Sequence, residues 1–168
     1  GGLKYNTTTA RSASTEEWLA TFAGTGGVTI SSTGAITPGA AKVFSASVNL
    51  TVDSGATITP GASQLTFNGN FVNNGTYTSG TNAIVITGTA TQSIGSFTTS
   101  GAVSMTKTAG TATFTGNVTG GSLTINGSGG TLNAGNQLQS HVFSGVATLT
   151  AGTFNGGSAL ISFTVVSA

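Results

Sequence analysis

The 168-residue sequence has no cysteine, and charge is almost as scarce, with four Lys or Arg, three Asp or Glu and one His. The missing cysteines exclude a disulfide scaffold and a thiolate metal site. Charged residues make up 4% of the chain, against about a quarter in ordinary globular domains. A net charge of +1 provides no basic stripe for phosphates, so nucleic acid is not an expected partner. No apolar run reaches the ~18 residues that would mark a membrane-spanning helix. A surface with so little charge also lacks electrostatic repulsion between copies, which favours association.

The few ionisable groups argue against catalysis. A glycan-cleaving site needs clustered carboxylates, and a Ca²⁺ site needs several oxygen ligands. Glu16 and Glu17 sit together at a helix start, and Asp53 stands alone before Ser54-Gly55, which reads as a turn. His141 is the single histidine; as a base it would need an orienting acid and a nucleophile, so it reads as a corner or surface residue. The chain is expected to be non-enzymatic and to need no cofactor or metal.

What the chain has in abundance is glycine, 27 residues of it, together with Thr, Ser and Asn. That composition fits a secreted, extracellular β-protein. The stretch Lys107 to Gly135 (KTAGTATFTGNVTGGSLTINGSGGTLNAG) shows the pattern best, with short alternating pieces cut apart by Gly, Asn and Ser. An apolar position recurs at a near-constant interval, at Val28, Val48, Leu65, Ile84, Val103, Leu123, Val142 and Ile161. A second follows two residues later at Ile30, Leu50, Phe67, Ile86, Met105, Ile125 and Phe163, Ser144 being the exception. An i, i+2 pair lies on one face of a strand. Repeated at the length of a solenoid coil, it predicts an all-β, parallel β-solenoid (β-helix) of about eight coils, stacked at ~4.8 Å. Phe143 competes with Val142 for the inward position of its coil. Ile36, Ile58, Tyr77, Ile94, Phe114, Leu132 and Leu149 are the inward candidates of a second strand. Phe44, Phe71, Phe97, Val118, Leu138 and Phe154 mark a third point, giving a triangular cross-section. An antiparallel sandwich has no reason to repeat one register so many times.

Three regions follow. Gly1 to Ala13 reads as an extended N-terminal arm. Ser14 to Gly24 reads as a capping helix: Ser14 and Glu17 have capping-box spacing, and Trp18 and Phe22 lie four apart on one apolar face. A helix this short must pack on something, and the first coil of a solenoid needs a lid. Thr25 to Ala168 is then the solenoid, ending in an open strand, ALISFTVVSA.

That last strand carries Leu160, Ile161, Phe163 and Val165 and no charge, so it leaves an edge able to accept another chain. Tail-to-head contact of unlike surfaces grows into a filament. A homopolymer is therefore the expected partner state, with Leu3, Tyr5, Trp18, Phe22, Leu160, Ile161, Phe163 and Val165 as the self-assembly interface, and surface glycans as a further candidate partner. The alternative is an ice-binding solenoid that uses outward threonines at Thr57, Thr59, Thr76, Thr78, Thr111, Thr113, Thr131, Thr148 and Thr150. Stacked hydroxyls would form a regular array, although Thr ladders also stabilise solvent-facing strands without any ligand.

LTFNGNFVNNGTYTSGTNAIVITGTATQSIG and AVSMTKTAGTATFTGNVTGGSLTINGSGGTLNAG resemble the Gly/Thr/Asn-rich β-strand repeats of large secreted surface proteins. Such repeats occur in type IX-secreted proteins of gliding bacteria and in filamentous-haemagglutinin-like adhesins. The resemblance covers about Thr25 to Gly157. It implies surface display with an adhesive or structural role, and it brings no catalytic residues to transfer. The chain departs from that family in its small size and in lacking a recognisable C-terminal sorting domain.

Overall fold

The computed structural model describes residues 1–164. The chain winds into turns of three short strands. The first turn is β1 (Leu3–Asn6), β2 (Arg11–Ala13) and β3 (Thr21–Phe22); the second is β4 (Val28–Ser31), β5 (Ala35–Pro38) and β6 (Lys42–Phe44). Next come β7 (Leu50–Val52), β8 (Thr57–Ile58) and β9 (Leu65–Phe67), then β10 (Phe71–Asn73), β11 (Thr76–Tyr77) and β12 (Ile84–Ile86). The fifth turn is β13 (Gln92–Ile94), β14 (Phe97–Thr98) and β15 (Val103–Met105). The sixth is β16 (Thr111–Phe114), β17 (Val118–Gly120) and the start of β18 (Leu123–Asn133). β18 rounds a corner into the seventh turn, which continues through β19 (Ser140–Phe143) and the start of β20 (Ala147–Asn155). The end of β20 and β21 (Leu160–Phe163) begin another.

Every strand pairing among the described residues is parallel, and each strand stacks on its counterpart one turn away. Three ladders result. The first face is β1-β4-β7-β10-β13-β16 and the ends of β18 and β20. The second is β2-β5-β8-β11, then β14-β17-β19-β21, joined across its gap by a bridge from Gly80 to Thr99. The third is β3-β6-β9-β12-β15 and the starts of β18 and β20. The protein is a parallel β-solenoid of about seven turns.

Inward residues fill the triangle. Val28, Ile30, Leu50, Ile36, Ile58, Leu65 and Ile84 are all buried. An aromatic file runs through the core from Tyr5 to Trp18, Phe44, Phe67, Phe71, Tyr77, Phe97, Phe114 and His141, with neighbouring ring centroids 4.9 to 6.4 Å apart. These spacings fit stacked and edge-on aromatic packing.

The N-terminal expectations need correction. Among the described residues no helix forms. The Ser14 hydroxyl accepts from the Glu17 amide at 3.1 Å and the Ser14 carbonyl from the Trp18 amide at 3.0 Å, closing one turn. The chain then leaves, because Thr21 and Phe22 pair with Val43 and Phe44. A helix so short is marginal, whereas the ladder places Phe22 on the core. The arm is also not free: Leu3 to Asn6 pair with Val28 to Ser31, and Arg11 to Ala13 with Ile36 to Pro38. They are the first turn.

The expected eight coils become about seven turns because the coil length varies. Leu3 stacks on Val28, whereas Leu65 stacks on Ile84, a shorter step along the chain. Leu65, Ile84, Val103 and Leu123 do share a ladder. Val28, however, pairs with Leu50 on the first face, and on the second face Phe143 is buried while Val142 is not.

Candidate functional site

The two ends of the solenoid differ in chemistry. At the N-terminal end Arg11 holds the register position of the buried Ile36, yet it is exposed and pairs with the Glu17 carboxylate at 2.8 Å. Lys4 and Glu16 belong to the same turn, so four of the seven charged residues gather there. A charge at an inward position of an edge strand blunts that edge. Trp18 fills the centre of this end and is fully buried between Tyr5 and Phe44. Tyr5 is buried too, and burial pushes its hydroxyl up to about 12, with the Glu17 charge adding to the rise and Arg11 opposing it. Leu3 and Phe22 are partly buried against the core. Tyr5 and Trp18, expected in an intermolecular contact, are therefore spent inside the chain.

The C-terminal end is the opposite. No Asp, Glu, Lys or Arg follows Lys107. Leu149 stands in register with the buried Ile125, Phe154 with Leu132, Ile161 with His141 and Phe163 with Phe143. Among the described residues no further strand stacks on them, so Leu149 is 61% and Phe163 41% exposed. Phe163 still lies on Phe143, with centroids 5.6 Å apart. Leu160 is exposed but shares the register of Ser140, on the outer side. Leu138, expected inward, is exposed in the segment before β19. Val165 lies outside the described residues. Leu149 and Phe154 were missed as end residues, because only the register shows which apolar side chains close the triangle.

The threonines of the expected array do not share a face. Thr57 pairs with Thr76, and the Thr59 hydroxyl donates to that of Thr78 at 3.3 Å, beside the second-face ladder. Thr111 pairs with Thr131 on the first face, where Thr113 pairs with Asn133. Thr148 pairs with Thr124 on the third, with Thr150 two residues on in the same strand. A different column is continuous. Thr21, Val43, Thr66, Val85, Ser104, Thr124 and Thr148 follow one another along the third face, all uncharged and outward.

Where β11 and β14 do not pair, the corner between the first and second faces opens into two adjoining grooves of about 380 and 300 Å³. Asn73 and Ser96 line both, joined by a 2.8 Å hydrogen bond from the Asn73 amide to the Ser96 carbonyl. The walls combine amides, hydroxyls and glycines with Phe71, Val72, Tyr77 and Phe97, and carry no charge.

Several buried polar groups are held by hydrogen bonds within the core. The Lys107 ammonium donates to the Ala90 carbonyl at 2.7 Å and to Gln92 Oε1 at 2.6 Å. The Gln92 amide in turn donates to the Phe67 and Gly69 carbonyls at 3.1 and 2.8 Å. Lys42 donates to the Trp18 carbonyl and lies over its ring, 5.4 Å from the centroid. Burial lowers both lysines below their ordinary range. His141 Nδ1 accepts the Val118 amide at 3.2 Å, so Nε2 carries the proton and donates to the Ala134 carbonyl at 2.7 Å. Both ring nitrogens are engaged by backbone rather than by an acid or a nucleophile. Asp53 closes a turn, its carbonyl accepting the Ala56 amide at 3.0 Å. Among the described residues no three His, Asp or Glu side chains come together as a metal site.

By fold and ends alike, the class defined here is a parallel β-solenoid with a charged first turn and an uncharged last one. Compared with known proteins, the chain matches no protein-family model, no curated protein and no solved structure.

Proposed function

We propose that the chain is a non-enzymatic structural subunit of a secreted or surface filament, stacking end to end through its C-terminal turn, with adhesion as its use. The observation that carries this reading is the uncovered core end formed by Leu149, Phe154, Ile161 and Phe163 among the described residues. Burying such side chains stabilises a contact by roughly 25 cal/mol per Å² of apolar surface, and parallel edge strands supply backbone donors and acceptors for it. The likeness of the repeats to secreted adhesin repeats supports the same use, and the neutral groove at Asn73 and Ser96 suits an uncharged glycan as the adhesive partner.

The contact has a cost at its other side. Stacking head to tail sets the Arg11–Glu17 pair against the apolar end, whereas a tail-to-tail contact avoids this and closes as a dimer. Electron microscopy and light scattering of the purified protein separate the two. Filaments that vanish in Leu149→Lys/Phe163→Lys, with the β-signal of the monomer retained, are the expected result. Discrete dimers or monomers of the unaltered chain would overturn the filament.

One observation favours a second reading, the binding of ice by the third face. The Thr21 to Thr148 column is uncharged over seven strands, about 29 Å at the spacing of paired strands.

A further inference from the structure

His141 sits where the last turns are tied together. Its ring is buried, 5.0 Å from Phe114 and tilted by 46°. Through Nδ1 it holds the Val118 amide of β17, and through Nε2–H the Ala134 carbonyl just after β18. Its own strand β19 carries β21, with His141 in register with Ile161. One neutral ring thus satisfies a donor and an acceptor that have no place in the regular ladder.

From this geometry we infer that His141 is an acid-operated latch, and that protonating it releases the C-terminal turns from the rest of the solenoid. A second proton can go only to Nδ1, which then points an N–H at the N–H of Val118. Donor faces donor, the hydrogen bond is lost, and a cation is left in an apolar core. Among the described residues no other charge answers it: β16 (TATF), β17 (VTG), β18 (LTINGSGGTLN) and β21 (LISF) contain no titratable side chain. The last charged residue in the sequence, Lys107, is directed at Ala90 and Gln92. The latch acts within one chain and does not depend on filament formation.

Burial holds the imidazole below its ordinary value of 6.5, more than the Ala134 hydrogen bond raises it. A base shifted this way takes up a proton on opening, so its contribution to stability is complete above 6.5. That contribution is lost as the pH falls through the lowered folded value.

Amide exchange of the unaltered protein between pH 7.5 and 4, corrected for intrinsic rates, tests this alongside an NMR titration of the His141 ring. Protection of the Val118 amide and of β19 and β21 should fall by up to about tenfold per pH unit once the pH drops below the ordinary histidine value. It should level off once the ring has titrated, while Val28 and its neighbours in the second turn stay protected. His141→Phe should be less protected at every pH but lose the acid step; His141→Asn, whose Oδ1 can take the Val118 amide, should lose the step with smaller damage. A flat Val118 profile in the unaltered protein would overturn the latch. So would an opening midpoint unrelated to the ring titration, or the same acid step in the variants.

Discussion

The most demanding of the described residues is Lys107, a fully buried cation that forms no salt bridge among them. Its ammonium donors meet the Ala90 carbonyl and Gln92 Oε1, and Gln92 spends its amide on two carbonyls of the turn below. Removing one partner of such a set leaves the other buried without compensation, at a cost of about 3–5 kcal/mol for a charge. Replacing both with apolar groups of similar shape can be nearly neutral. Gln92→Leu should therefore lower stability by about that amount, and adding Lys107→Met should recover much of it. Chemical denaturation of the two singles and the double measures the coupling; additive losses would show that the two side chains act separately. Raising the pH toward the ordinary lysine range should lessen the burden, because the folded-state value of Lys107 is lowered and stability rises as the ammonium deprotonates.

At the scale of elements, the long strands β18 and β20 differ from the rest by running around a solenoid corner, where their pairing shifts register between Asn126 and Thr131. β20 does so at Gly152, where φ is +90° and a Cβ would collide with the Gly127 carbonyl oxygen. Both the conformation and the close approach require glycine. Gly152→Ala should separate the end of β20 from β18 and destabilise the last turn by about 1–3 kcal/mol. Faster amide exchange confined to Ala147–Asn155 and Leu160–Phe163 would be the signature, and unchanged protection would refute it. The single turn at Ser14 makes the complementary point. Its cap forms, but a cap only opens a helix; the residues that follow are better stabilised as a strand on Phe44.

At the scale of the whole molecule, the stacked turns present three faces and two ends, and only the ends distinguish one direction from the other. Charges collect at the first turn and are missing from the last, so polarity is built into an otherwise uniform rod. The third face carries an outward column without charge over seven strands. If it orders water as ice does, the unaltered protein should show thermal hysteresis that is lost in Thr66→Tyr and Ser104→Tyr but kept in Thr57→Tyr on the second face. Hysteresis absent from the unaltered protein, or indifferent to Thr66 and Ser104, would remove that reading.

The sequence by itself determined the all-β class, the parallel stacking and the triangular core, because alternation and a short regular repeat leave few other ways to bury so many apolar pairs. It also located the uncharged C-terminal strand and the paucity of reactive groups, which are matters of composition. Tertiary structure decided the phase. Longer and shorter coils cannot be told apart until they stack, so Val28 and Leu65 looked equivalent although they lie on different faces. It likewise decided that Gly1 to Gly24 joins the solenoid, since the pairing partners of Leu3, Arg11 and Phe22 lie a full coil further along the chain. Which apolar residues end the core, and which threonines are neighbours, follow from that same register and from nothing local.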